Sequence, residues 1–350
     1  MSWYAVESVD DAIDATRSFL FPFEFGTWLR LALISLFVGT GGGGLSSVSN
    51  TINLPSSMPS ETDGSGSAPP PEAPPEQISE ILQEPALIGA IVVGLLLLFV
   101  GLAVLSVVLR FVFYDALQTG TVRIREPARR RFGQALRLLG FNLLVSVAFG
   151  LVILVFAAIT VVIGGEFEGT TAAIGAMVLS GGLAVLTLIA SIIVGRVTRE
   201  FVVPVMVITD SGVLDGWRRF WPVLRSNLSQ FVVYVVVHFL LLLAISIGQS
   251  LLSLIVFGIV GTIGAVVGLA VVFGVFGGLN AAVASTVGLV ALGVIALFTL
   301  AVGFVLVLPV SIVVLTYVTT YEVSVLAAAD GDLQLLADEL DGSGDDDGDG

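Results

Sequence analysis

Residues 209–231 read TDSGVLDGWRRFWPVLRSNLSQF. Trp217, Arg218, Arg219, Trp221 and Arg225 crowd into this stretch between two long apolar runs. Guanidinium groups donate in a fork that matches phosphate oxygens, and indole rings settle at the headgroup level of a bilayer. Such a set does the chemistry of anion and surface contact rather than bond breaking. On a helix, Val213, Leu214, Trp217, Phe220, Trp221 and Leu224 fall on one apolar stripe, with Asp215, Arg218, Arg219 and Arg225 off it. Asp210 or Ser211 is placed to cap its start, and Asp215 lies where the helix dipole favours an anion. Pro222 is expected to bend the helix, because its ring meets the carbonyl four residues back. The spacing predicts an interfacial amphipathic helix on a membrane. A connector that only sets the angle of the next span is the competing reading.

Few other residues carry chemistry. The single histidine, His238, stands inside the apolar run VVYVVVHFLLLL. An intramembrane histidine is either a hydrogen-bonding partner in helix packing or part of a proton relay or ligand contact. Asp115, Glu200 and Glu322 sit near the ends of apolar runs, where arginines can pair with them. Asn142, Gln249 and Asn280 can hydrogen-bond between helices. There is no cysteine, hence no thiolate nucleophile or cysteine metal site. Neither a G-x-x-x-x-G-K-[ST] run nor a G-x-S-x-G elbow occurs, and GTGGGGLSS at 39–47 has no cation near it to make a phosphate cradle. No catalytic, cofactor-binding or metal-ligating residue is expected. A lipid-modifying enzyme would require Asp210, Asp215 and Glu200 to converge at the interface.

The elements that must carry these residues are set by composition. Of 350 residues, 56% are hydrophobic and 12% charged, and mean hydropathy is +1.04. Apolar runs near 28–48, 86–113, 141–163, 172–195, 229–256 and 286–318 are each of a length to cross a ~30 Å hydrocarbon core. Period-2 alternation is missing, so helices rather than a barrel are expected. The fold class is therefore all-α: a polytopic membrane protein of about six spans in one domain over 1–330. Residues 49–83 form a Pro/Gly/Ser-rich loop, and 331–350 an acidic tail. The Gly-rich stretch 257–285 reads as re-entrant, as an extra pair of spans, or as an extension of its neighbours, and Gly264 and Gly268 offer a G-x-x-x-G packing face. The N-terminus does not read as a cleaved signal peptide.

All 14 basic residues are arginine, against 28 acidic ones. They fall in the N-terminal segment and in the connections around 110–137 and 196–225. By the positive-inside rule both termini are cytoplasmic and the Pro-rich loop lies outside. An acidic, lysine-free chain suits a high-salt cytoplasm. A GC-rich genome with one acidic tail is the alternative.

The interfacial pattern occurs twice more. SVDDAIDATRSFLFPFEFGTWLR has Ser8 as a cap and Val9, Ala12, Ile13, Phe19 and Leu20 on one side, with Pro22 placed as Pro222 is. EPARRRFGQALRLLGFNLLV sets Phe132, Leu136 and Leu139 opposite Arg130, Gln134 and Arg137. The chain thus reads as three loose repeats, each a cytoplasmic amphipathic helix followed by a two-span hairpin. Arg129, Arg130, Arg131 and Arg137, with Trp217, Arg218, Arg219, Trp221 and Arg225, are the expected lipid-contact residues. His238 is the intramembrane polar one.

REFVVPVMVITDSGVLDGWRRFWPVLRSNLSQFVVY resembles the membrane domain associated with glycerophosphoryl diester phosphodiesterases, and LPVSIVVLTYVTTYEVSVLAAADGDLQLL is similar to that family's last helix. The opening WYAVESVDDAIDATRSFLFPFEFGTWLRLALI resembles uncharacterised haloarchaeal membrane proteins. The resemblance implies a helical membrane fold and no residue-level activity. A phosphodiesterase would need a soluble domain with histidines and metal-binding carboxylates. The expectation is a non-enzymatic cell-membrane protein, scaffold or accessory, in lipid or envelope handling. The alternative is a transporter or channel for a small neutral solute, which requires a water-filled cavity reaching His238 or 257–285. Membrane lipids are the expected partners, with another membrane protein or a second copy beside them. Nucleic acid and cofactors are not expected.

Overall fold

The computed structural model describes residues 4–38, 85–166 and 171–336, which are helical with no strand among them. In chain order they form α1 (Tyr4–Leu20), α2 (Phe25–Val38), α3 (Pro85–Thr119), α4 (Arg125–Glu166) and α5 (Thr171–Val197). A π-helical turn (Thr198–Val202) leads into α6 (Val203–Thr209), then α7 (Val213–Ser226), α8 (Leu228–Gly274), α9 (Leu279–Ala284) and α10 (Thr286–Ala329). A 3₁₀ turn, Gly331–Leu333, follows.

Five helices are long and apolar enough to cross a membrane: 86–119, 125–162, 174–209, 228–274 and 286–329. The expected sixth, 28–48, corresponds to α2, whose 14 residues span only about 21 Å. Its second half lies outside the described residues, as do 49–83 and the acidic tail beyond 336. The long helices are apolar all round, which marks helices that face lipid or lie buried. Leu254 and Leu297 are 72% and 70% exposed, and dozens of neighbours on α3, α4, α5, α8 and α10 are exposed too. Only a hydrocarbon solvent or a partner satisfies apolar surface on that scale.

The side-chain core gathers at one end of the long helices. There Phe111 and Leu117 of α3, Met206 of α6, Phe220 of α7 and Tyr321 and Leu326 of α10 are sealed from solvent. α1 lies against the last turns of α10. Its small residues Ala5, Ala12 and Ala15 allow the close approach, and its backbone is tied down by α10 side chains. The Tyr321 hydroxyl donates to the Ala5 carbonyl at 3.1 Å, and Thr320 Oγ1 donates to Ala12 at 3.3 Å. The buried face of α1 is Ala5, Ser8, Ala12, Ala15, Thr16 and Leu20. Ser8 is therefore inside the helix and packed, not a cap, while Ile13 is exposed.

α4 runs without interruption from the arginine-rich segment into the span. Its buried face near the start is Arg131, Ala135 and Leu138, one residue round the helix from the expected Phe132, Leu136 and Leu139. The offset follows from Arg131, whose ion pairs with Asp115 and Asp210 turn that face inward.

The Gly-rich segment does not reverse. Residues 257–274 extend α8, which at 47 residues is about 70 Å long. The chain turns at Gly277 and Gly278, both with positive φ, and passes α9 into α10, where the Ser285 hydroxyl caps by accepting from Gly288 N at 3.0 Å. α8 and α10 touch where one side is a glycine: Gly264 faces Thr299, and Gly303 faces Phe257. Gly268 has open space beside it, so only half of the G-x-x-x-G pair is used within the chain.

A charged cavity at the convergence of four spans

The sequence GRVTREFVVPV dictates a local irregularity. Pro204 has no N–H to donate, and its ring is incompatible with a regular helical carbonyl at Glu200. The helix widens one turn earlier: the Val203 N–H reaches the Thr198 carbonyl, five residues back. π turns of this kind re-aim side chains and concentrate at functional sites. Here the turn carries Arg199, Glu200 and Phe201 against α8 and α10.

Glu200 is held from two sides. Arg196 Nε donates to its Oε1 at 2.8 Å, and the Tyr234 hydroxyl donates to its Oε2 at 3.0 Å. His238, one turn beyond Tyr234 on α8, places Nε2 3.9 Å from Glu200 Oε1. The imidazole packs against Tyr234 and Tyr321, with ring centroids 5.1 and 6.0 Å away. His238 Nδ1 is buried and has no hydrogen-bond partner. Glu322 comes in from α10, is 8% exposed, and makes no hydrogen bond or ion pair with the described residues. Tyr114 of α3 closes the group by donating to the Arg199 carbonyl at 3.4 Å.

These residues line a cavity of about 380 Å³. Arg110, Arg196, Arg199, Glu200, His238 and Glu322 supply its polar wall, and Val38, Leu242, Leu315 and Val318 are among its apolar lining. Neither Arg110 nor Arg199 forms an ion pair with the described residues. The cavity sits at the end of the apolar stretches: Arg196, Arg199, Glu200 and Glu322 lie just past the runs 172–195 and 286–318, Arg110 at the end of 86–113, and His238 inside 229–256. His238 is ten residues into α8, Arg110 nine residues before the end of α3, and Glu322 seven before the end of α10. At 1.5 Å per residue these are about 10–15 Å from the helix ends.

An aromatic wall separates the cavity from α7. Phe201 stacks on Phe220 at 5.1 Å and meets Phe231 and Tyr234 edge-on. α7 comes close because Gly216 has no side chain: a Cβ there would stand 2.9 Å from Val202 Cγ1. Its buried face is Val213, Gly216, Phe220 and Val223. Trp217 is half-buried, whereas Leu214 and Trp221 of the expected stripe point outward. Gly212 stands at the N-cap, and neither Asp210 nor Ser211 caps the helix with its side chain. The helix continues through Pro222.

Arg129, Arg137, Arg218, Arg219 and Arg225 are all exposed, with Arg225 over the Trp221 ring at 4.9 Å and Arg219 paired with Asp332 at 3.2 Å. Arg130 is exposed and pairs with Asp115. Arg131 differs: it is 4% exposed and bonds to Asp115 and Asp210, each at 3.2 Å, tying α3 and α4 to the turn before α7. That turn is held open by Asp210 at φ 48°. The carboxylates of Asp210, Asp215 and Glu200 are engaged by separate arginines, Arg131, Arg218 and Arg196.

The model of a family of unknown function, DUF7544, matches residues 3–336. The chain belongs to that family. No curated protein and no solved structure matches it. The family match therefore carries no activity to this chain, and the resemblance to phosphodiesterase membrane domains and to haloarchaeal proteins gains no named relative. Membership and the apolar helices together fit a membrane protein. Sequence reading placed Glu200 and Glu322 near arginines at span ends but did not join them to His238. The available signals were Tyr234 one turn before His238, Pro204 four residues after Glu200, and a glutamate in the otherwise uncharged run YVTTYEVSVL.

Proposed function

We propose that this protein is a carrier that binds a small anionic solute in the cavity between α3, α5, α8 and α10. The observation that carries the reading is the cavity itself. A packed scaffold has no use for a charged chamber, and gathering ionisable groups in a cavity where apolar helices converge is costly enough to mark a functional site. A chamber reaching His238 is what separates a solute pathway from a scaffold. Three guanidinium groups, of Arg110, Arg196 and Arg199, stand against two carboxylates, of Glu200 and Glu322, and favour an anion over the neutral solute of the sequence's alternative reading. The exposed Arg218, Arg219 and Arg225 beside Trp221 support a surface role for α7 at the lipid boundary. The amphipathic segments α1, 125–139 and α7 each precede a hairpin, and the repeat reading rests on that order.

The reading is tested by thermal unfolding of the purified full chain in detergent with a panel of small carboxylates, phosphate and sulfate. A solute present at a hundred times its Kd stabilises by about 2.7 kcal/mol, which raises the midpoint by several degrees. The expected result is a rise with some of these anions that Arg199→Gln and Arg110→Gln reduce. A midpoint indifferent to every anion, or raised equally in both variants, contradicts the reading.

A further inference from the structure

Three side chains from three different helical segments meet at the cavity wall. One ligand atom from each of Glu200, His238 and Glu322 lies within 4.8 Å of the others. Two of the three, His238 and Glu322, make no hydrogen bond with the described residues. His238 is 3% exposed and neither ring nitrogen makes a hydrogen bond with the described residues. Nδ1 is sealed, and Nε2 faces Glu200 at 3.9 Å. Glu322 is 8% exposed with an unpartnered carboxylate. A buried carboxylate is tolerated when paired or when it coordinates a metal. Both residues line the cavity.

We propose that Glu200, His238 and Glu322 bind one divalent first-row transition-metal ion. Bonds from such an ion to imidazole nitrogen or carboxylate oxygen are about 2.0–2.2 Å, so two ligands on it stand at most about 4.4 Å apart. The 3.9 Å between His238 Nε2 and Glu200 Oε1 admits the ion between them. The widest separation, up to 4.8 Å, closes by rotation of the Glu322 side chain, which no hydrogen bond restrains. One nitrogen and two carboxylates suit zinc, manganese or iron. Calcium takes six to eight oxygens, and magnesium demands near-octahedral oxygen geometry.

The surroundings are built as metal sites are built. Tyr234 and Arg196 fix the Glu200 carboxylate from outside, and the rings of Tyr234 and Tyr321 fix the plane of the imidazole. Outer groups of this kind orient ligands and tune affinity. Arg196 also repels a cation, which selects for an ion that bonds strongly to nitrogen over one held by charge alone. Three protein ligands leave open positions toward the cavity. Resting on the carrier reading for its role, the ion would there share an anionic solute with Arg110 and Arg199.

The test is titration of the purified full chain with Co²⁺, followed by visible absorption, with bound cobalt counted by mass spectrometry after gel filtration. The expected result is one Co²⁺ per chain with ligand-field bands, displaced by Zn²⁺, and weakened at least tenfold by Glu322→Gln and by His238→Gln. Tyr234→Phe should shift the bands while retaining the ion. The acidic tail offers carboxylates without imidazole, so its binding is common to every variant. If His238→Gln is not monodisperse, Glu322→Gln decides, since that change is isosteric and breaks no hydrogen bond. Wild type and Glu322→Gln titrating alike, or an absence of bands, overturns the metal site. Anion stabilisation measured on the same preparations separates the two ideas. Anion response without a metal response removes the metal and leaves the carrier; a metal response without anion response does the reverse.

Discussion

Asp115 and Arg131 show what a single pairing contributes here. Both are 4% exposed, and Arg131 reaches Val207 O, Gln134 and Asp210 as well as Asp115. Removing one member of a buried pair strands the other charge, at about 3–5 kcal/mol. Asp115→Ala leaves buried Arg131 only the exposed Asp210 as a carboxylate partner and should lower stability in a detergent melt by up to about that amount. Asp210 is 81% exposed at its side chain, and exposed pairs contribute about 0–1 kcal/mol, so Asp210→Asn, which keeps a residue suited to the left-handed turn, should cost little. Equal losses from the two substitutions would contradict this assignment. The sequence groups Arg131 with the surface arginines, because it is the third arginine in ARRRF and its partners lie in other segments. Arg129 and Arg137, on the outer side of the same helix, were readable. His238 was singled out from its apolar neighbourhood, but its meeting with Glu200 and Glu322 depends on a π turn that no periodicity reveals.

Helix pairing turns on glycines whose neighbours come too close for a side chain. At Gly264 a Cβ would stand 2.3 Å from Thr299 Oγ1, whereas Gly268 has nothing within 4 Å. Overpacking costs about 1–3 kcal/mol, while Gly to Ala in an open helix position gains up to about 1 kcal/mol. Gly264→Ala should thus lower the melting midpoint and Gly268→Ala leave it unchanged or raise it. The reverse order would mean that Gly268 is the packing residue. Gly216→Ala belongs to the same class. Stiff β-branched Val202 cannot easily retreat from the 2.9 Å approach, so loss of stability should accompany loosening of α7. The long spans were legible because hydropathy alone sets them. The faces of α1, α4 and α7 were only half legible: small residues and a buried arginine, rather than the largest apolar ones, make the contacts. The continuity of α8 through its glycines is one of three readings the sequence leaves open, because glycine reads as a breaker in water.

The whole molecule has a sealed, polar-studded core at one end and apolar helix pairs open to their surroundings over the rest. Five membrane-length helices and the shorter α2 converge at that end, where α1 and α7 lie alongside and the cavity sits behind the aromatic wall. Membership of a family that covers 3–336 makes this whole arrangement the unit to be explained. A carrier of this architecture must let solute and water reach the chamber. The absence of cysteine permits single reporters without background. The measurement that tests the claim most directly is labelling of Leu242→Cys and Val318→Cys, two apolar lining positions, with a membrane-impermeant thiol reagent. Leu254→Cys, on the outward face of α8, serves as the lipid-facing control. Labelling is expected at 242 and 318, slowed by a stabilising anion, and none at 254. Protection at both lining positions, with the protein folded, would contradict the carrier reading and return the molecule to a closed scaffold.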